Sequence, residues 1–164
     1  PRSTLSSSSA ASDVYKRQIL EDIPLPVYGD GENIREWLYV GDTCRGIKDI
    51  LEKGTEGEIY NIGGGNEISN IELAGKIIRL MGRQSDESRL VKFVPDRPGH
   101  DKRYRLDSTK AQKQFGWKPS GEFDEQLKSV IRWYEDNKTW WKKIRADKKR
   151  FADYYLKQYK KAAK

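Results

Sequence analysis

An α/β fold is what the sequence predicts, and three observations carry the prediction. Stretches with the two-residue alternation of strands (residues 25–28, 35–40, 58–62 and 90–94) interleave with stretches that repeat apolar residues every three or four positions (residues 42–53, 69–82 and 123–137). Turn-forming glycines and prolines fall between them, at 29–31, 63–65 and 98–99. Nine tyrosines and five tryptophans argue against a disordered chain. The 164 residues suffice for one ordinary domain, too few for a two-domain oxidoreductase.

Composition narrows the function classes. No apolar run approaches the roughly 20 residues of a membrane span, so no membrane partner is expected. The single cysteine, Cys44, excludes an internal disulfide and fits a reducing, cytoplasmic setting. The net charge of +7 is local: residues 138–164 carry eleven Lys/Arg against two Asp/Glu, a net +9, which leaves about −2 for the rest. Nucleic acid is therefore an unlikely partner for everything upstream of the tail. One histidine, His100, leaves no second imidazole for a metal cluster, so no metal site is expected.

Residues 1–17 are rich in serine and lack apolar periodicity, and 12–18 read as vector- or adapter-derived sequence; this leader is expected to be disordered. Residues 25–28 and 35–40 are short extended pieces on either side of a reversal at Gly29-Asp30-Gly31, where the left-handed backbone is tolerated. Strand period puts Arg35, Trp37 and Tyr39 on one face. An arginine beside aromatic rings suits a phosphate, because its planar fork makes two parallel charge-assisted bonds. A solvated edge-strand arginine is the plainer reading of the same pattern. Asp42 or Thr43 should cap a helix to Lys53, with Cys44, Ile47, Ile50 and Leu51 on one buried face.

Residues 58–62 read as a strand running into Gly63-Gly64-Gly65-Asn66. Neither G-x-G-x-x-G nor a P-loop occurs there, so close backbone packing is the preferred reading. Ser69 and Glu72 form a capping box for a helix ending near Gly82, with Asn70 in its first turn able to reach a ligand. A strand at 90–94 delivers the chain into Asp96-Arg97-Pro98-Gly99-His100, a rigid bend that displays Arg97 and His100 together, with Asp96 placed to orient Arg97. A lone loop histidine is ordinarily a surface residue. Residues 104–106 are a short strand, a helix runs from Asp107, Ser108 or Thr109 to Gly116, and Phe115, Trp117 and Pro119 form an apolar corner. Tyr134 and Lys138 satisfy Tyr-x-x-x-Lys, but Tyr134 lies in the apolar stripe of its helix, which argues against a catalytic pair. From Thr139 a basic helix carries aromatic residues every three or four positions. It suits docking on the body or a partner subunit better than binding an acidic surface or RNA.

Two of these stretches carry a resemblance. Pro-Val-Tyr-Gly-Asp-Gly-x-Asn-x-Arg-Glu-Trp-Leu-Tyr-Val (26–40) and Asp-Arg-Pro-Gly-His-Asp-Lys-Arg-Tyr (96–104) are similar, in order, to the carboxyl half of the dTDP-glucose 4,6-dehydratases, which are extended short-chain dehydrogenase/reductases (SDRs). The resemblance runs from about Gln18 to the end. It implies the C-terminal substrate-binding half of an extended Rossmann-type fold, with the dinucleotide-binding half, its Tyr-x-x-x-Lys pair and its Asp-Glu pair not in this chain. It further implies a homodimeric parent enzyme that uses NAD to oxidise dTDP-glucose, or a similar nucleotide sugar, at C4. That enzyme eliminates water across C5 and C6 and returns hydride to C6, in the deoxysugar (rhamnose) pathway.

On that resemblance Pro26, Val27 and Tyr28 lie along the nucleotide, Arg35 binds the diphosphate, Asn70 makes a polar contact, and Asp96, Arg97, Pro98, Gly99 and His100 close over the ligand. This chain would then hold substrate-binding residues but no catalytic or cofactor-binding ones, and would be inactive alone. Gly65 and Thr43 stand where the family usually or often has histidine. The implied organisation is a leader at 1–17, a nucleotide-sugar-binding part at 18–137 and a basic aromatic tail at 138–164. Related nucleotide-sugar epimerases and decarboxylases share part of the pattern, and a non-catalytic nucleotide-sugar or RNA-binding module is the alternative from another class.

Overall fold

A computed structural model describes residues 7–96 and 98–146, with side chains placed over 14–96 and 98–144. By internal contacts the chain divides into two compact units, Pro1–Ile131 and Arg132–Lys164. The elements in chain order are helix α1 (Ser7–Leu20), strands β1 (Leu25–Tyr28) and β2 (Ile34–Trp37), α2 (Val40–Lys53), β3 (Asn66–Ser69) and α3 (Asn70–Leu80). Then come a 3-10 turn (Gln84–Asp86), α4 (Glu87–Leu90), β4 (Val91–Val94), β5 (Arg103–Tyr104), α5 (Thr109–Phe115), α6 (Phe123–Asp136) and α7 (Lys138–Ala146). None of the described helices is long and apolar enough to cross a membrane.

The α/β expectation holds, with a correction at the start. Residues expected to be a disordered leader are helical from Ser7 onward; residues 1–6 lie outside the described residues. Tyr15 and Ile19 are four residues apart, so they share a face, and both are buried in the core. The Tyr15 hydroxyl donates to the Pro26 carbonyl at 3.3 Å, which ties the helix to β1. Burial disfavours the phenolate, the nearby Tyr28 disfavours it further, and together they push the Tyr15 pKa up to about 12. Serine-rich composition hid this one apolar face.

The turn at 29–31 does not fold β1 back onto β2. The two strands belong to different sheets: β1 pairs with β4 in parallel, while β2 is the centre of the order β3-β2-β5. Gly29 and Gly31 take φ of +59° and +77°, and Gly29 N–H donates to Val94 O, extending the β1–β4 ladder past the strand end. A Cβ on Gly31 would also run into Val27 and Ile71, so glycine is required there twice over. Register fixes β2: Arg35 faces Ile68 of antiparallel β3 and Tyr104 of parallel β5.

Helix α3 begins with the Ser69 half of the expected capping box, Ser69 Oγ accepting from Glu72 N–H, and ends at Leu80, near Gly82, whose φ is +69°. Leu73, Ala74, Ile77 and Ile78 form its fully buried face, packed with Ile19, Leu25 and Leu90. The start of α2 differs from expectation: the helix opens at Val40 with Tyr39 as its uncapped N-cap, neither Asp42 nor Thr43 filling that role. Asp42 is instead buried, accepting from Ser120 N–H at 3.1 Å and Gln126 Nε2 at 2.9 Å, with Arg45 at 3.0 Å. The Trp117 indole donates to Asp42 O, so α2 is locked to the corner at 117–126. Burial alone would raise the Asp42 pKa. The hydrogen bonds from Ser120 and Gln126 and the charge of Arg45 outweigh burial and hold it below the usual carboxylate value.

Two further expectations fail. The apolar face of α2 is not buried: Cys44 is exposed, and Val40, Ile47 and Leu51 are 63%, 51% and 81% exposed. Residues 58–62 form no strand, for no strand among the described residues runs beside them. Side chains hold that segment, with Lys110 donating to Ile59 O and the Tyr60 ring 4.9 Å from Phe115. Elsewhere Leu90 ends α4 and β4 starts at Val91, while β5 covers Arg103–Tyr104 in place of 104–106. The helix expected to stop at Gly116 does, with φ of +67°.

In the second unit, the Trp141 indole donates to Tyr134 O at 2.9 Å, and the Trp133 and Trp140 rings meet edge-on at 5.4 Å. Trp140 and Ile144 remain more than half exposed. The aromatic residues expected to continue the stripe, from Phe151 to Tyr159, lie outside the described residues.

Three outcomes follow. Tyr15→Ala should lower stability by about 3–5 kcal/mol in a denaturant titration, the range for truncating a buried aromatic side chain; a dispensable leader would leave the midpoint unmoved. Asp42→Asn should cost about 1–3 kcal/mol at neutral pH, because its amide group turns a donor toward donors. The Asp42 pKa is lower folded than unfolded, so its contribution is present above the unfolded value and fades as pH falls. The difference between wild type and Asp42→Asn should therefore shrink in acid. Finally, the open α2 face and unpaired 58–62 should make the chain self-associate as concentration rises in sedimentation, whereas a monodisperse monomer at high concentration would contradict this.

Candidate functional site

The site grows from β2. Strand alternation turns Arg35 and Trp37 inward: Trp37 donates its indole N–H to Ile68 O and belongs to the core, while Arg35 is only 3% exposed. The guanidinium lies 4.4 Å over the Tyr104 ring and donates from Nη1 to Ile34 O at 2.7 Å. Among the described residues no carboxylate pairs with it. A buried cation without a counter-charge is costly, and a planar fork resting on an aromatic face is well suited to receive an oxyanion.

The other expected residues fall into two groups, Asn70 with Asn33 and Tyr28 with Asp96 and His100. Asn70 opens α3, its N–H donating to Asn33 O, and its Oδ1 is buried with no hydrogen-bond partner. An orphaned acceptor of this kind costs about 1–3 kcal/mol unless something donates to it. Asn33 is itself buried and donates from Nδ2 to Asp101 O at 3.1 Å, while Ile34 N–H donates to Lys102 O. These bonds draw the segment after the 96–100 bend onto the start of β2. At the bend, His100 Nδ1 lies 2.6 Å from Asp96 Oδ1, and the His100 ring meets Tyr28 edge-on at 6.3 Å. The histidine side chain is 6% exposed, so the surface-residue reading does not hold. Gly29 sits against Asp96, which closes the bend onto the 29–31 turn.

The structure thus brings Tyr28, Asp96 and His100 together, and ties Arg35 to Asn70 through Asn33. Pro98 and Gly99 form the exposed tip, with Gly99 at φ +69°. Arg97 lies outside the described residues, and with it the expectation that it shares a ligand with Arg35 and is oriented by Asp96. Pro26 is half-buried and its carbonyl is taken by Tyr15. Val27 is fully buried, so its side chain is a core group. Sequence reasoning missed Asn33 and Tyr104. Both were visible as a polar residue two before Arg35 and a ring at a strand end, yet only the pairing of β5 with β2 joins them.

The Gly63–Gly65 loop does not fit a dinucleotide phosphate. A Cβ on Gly63 would meet the Glu36 carboxylate, and one on Gly64 would meet the Trp37 carbonyl, so the glycines serve close packing on β2. The Gly65 amide, which a phosphate would need, already donates to Glu36 Oε1 at 2.7 Å. No cluster of three potential metal-ligating side chains occurs among the described residues.

Comparison with known proteins bears on the family and the fold. A family model described as GDP-mannose 4,6 dehydratase matches residues 11–130. The dTDP-glucose 4,6-dehydratase of Streptomyces niveus is 42% identical over 133 residues, covering 81% of this chain and 39% of that protein. The crystal structure of dTDP-glucose 4,6-dehydratase from Bacillus anthracis in complex with NAD superposes with a TM-score of 0.74 at 40% identity, covering 82% of this chain and 42% of that one. UDP-glucose 4-epimerase from Thermotoga maritima, solved with UDP-glucose, gives a TM-score of 0.69 at 26% identity over 77% of this chain and 39% of that one. The chain therefore spans about two-fifths of the length of the proteins it matches.

Proposed function

Since the chain belongs to the GDP-mannose 4,6 dehydratase family and has the extended SDR fold, we propose that it is the nucleotide-sugar-binding part of an NAD-dependent dTDP-glucose 4,6-dehydratase. The observation that carries the reading is the guanidinium of Arg35, buried on the Tyr104 ring and, among the described residues, paired with no carboxylate. A diphosphate supplies the missing counter-charge, and its two oxygens match the fork. Asn70 Oδ1, buried and unpartnered, accepts from a ligand hydroxyl or imide N–H. Tyr28 and the Asp96–His100 pair line the same bend and restrict access from the 29–31 side.

The whole protein would convert dTDP-glucose to dTDP-4-dehydro-6-deoxyglucose as a cytoplasmic homodimer. NAD would supply the hydride chemistry from a part of the protein outside this chain, since the one Gly-rich loop here is occupied by Glu36. What these residues contribute is binding and orientation: they fix the diphosphate and leave the sugar to be presented elsewhere. The chain alone would bind nucleotide and not turn it over.

Calorimetric titration with dTDP, UDP and a short RNA tests this. dTDP should bind, and Arg35→Lys should weaken it by roughly ten- to a hundredfold with the fold intact, because a point charge replaces a two-pronged donor. Unchanged affinity would remove Arg35 from the site. Tighter binding of UDP would move the reading to the epimerases, and binding of RNA alone, falling steeply with salt, would move it to the basic tail.

A further inference from the structure

Glu36 lies between the two inward residues of β2 and faces the other side of the strand. Across the β2–β3 ladder it stands directly opposite Glu67, an arrangement that costs energy if both carboxylates share one space. They do not. Glu67 turns to Arg103 at 2.7 Å, while Glu36 takes two backbone amides: Gly65 N–H donates to Oε1 at 2.7 Å and Leu106 N–H donates to Oε2 at 2.8 Å. Glu36 therefore crosslinks three stretches of backbone that are far apart in the chain.

Each of those stretches leads to the site. Gly65 immediately precedes β3, which runs into Asn70. Leu106 is two residues past Tyr104, the ring under Arg35. Strand β5 pairs with β2 over only two residues, Ile34↔Arg103 and Arg35↔Tyr104, too few to hold a strand by ladder bonds alone. The Glu36–Leu106 bond extends that attachment by the one step the ladder lacks. Gly63 is glycine for the same reason, since a Cβ there would lie 2.7 Å from the carboxylate oxygens.

We propose that Glu36 is a positioning residue for the nucleotide-sugar grip. Its carboxylate, clamped by the Gly65 and Leu106 amides, sets the spacing of β5 and β3 on either side of β2 and so holds Tyr104 and Asn70 in register with Arg35. This rests on the binding role argued above for Arg35. Glu36 itself touches no ligand.

The test pairs dTDP calorimetry with residue-resolved amide hydrogen exchange on the full chain. In Glu36→Gln only one oxygen remains, so one amide loses its acceptor. Exchange should accelerate at Gly65 or Leu106 while core amides of α3 keep their rates, and dTDP affinity should fall roughly tenfold or more. Glu36→Asp, charged but shorter, should release one of the two amides as well and fall between wild type and Gln in affinity. Faster exchange with unchanged dTDP affinity would overturn the positioning role, and unchanged exchange at both amides would overturn the clamp. Unfolding of both variants would show that Glu36 serves the fold alone. Should the unsubstituted chain bind no dTDP, the proposed function fails, while exchange at Gly65 and Leu106 still decides whether the clamp exists.

Discussion

The arrangement turns on one electrostatic fact: a guanidinium is buried on β2 and, among the described residues, no carboxylate pairs with it. Desolvating a cation is expensive, and a fold keeps such a group only where the surroundings compensate it or a ligand does. Here the compensation from the protein is partial, an aromatic face and one carbonyl. Arg35 pairs with Ile68 of β3 and Tyr104 of β5, while the first turn of α3 bonds to Gly31 and Asn33 and Lys102 bonds to Ile34, just ahead of it. Local geometry and the proposed ligand chemistry thus share one cause.

The first unit has a finished side and an unfinished one. Helices α1 and α3 with β1 and α4 bury Tyr15, Ile19, Leu25, Ile77, Ile78 and Leu90 in a continuous core. On α2 and at 58–62, by contrast, large apolar side chains face outward, although Asp42 and Trp117 fix α2 firmly from behind. An exposed apolar face of this kind marks an interaction surface or an aggregation liability.

How much was legible in the sequence depended on whether the signal was local. The capping serine of α3, the glycine stops at Gly82 and Gly116 and the strands at 25–28 and 90–94 were readable because each rests on a few neighbouring residues. Arg35 stood out as a candidate phosphate ligand by its strand phase and neighbours, but its burial and its Tyr104 platform were not legible, since parallel pairing with β5 joins residues almost seventy positions apart. Cys44, Ile47 and Leu51 had the right period for a buried face; periodicity says that a face exists and not what covers it. Residues 58–62 failed for the same reason, because a strand needs a neighbour that this chain does not provide among its described residues. The leader was misjudged on composition, which averages away the two residues, Tyr15 and Ile19, that anchor its helix.

The most direct measurement of the central claim is an NMR titration of the full chain with dTDP, following the Arg35 guanidinium N–H together with the amides of Asn70 and His100. The account predicts that all three shift together, saturate at one ligand per chain, and that the Arg35 resonance moves as it does for a hydrogen-bonded phosphate. An Arg35 signal that stays put while dTDP binds elsewhere, or shifts confined to α7, would contradict it.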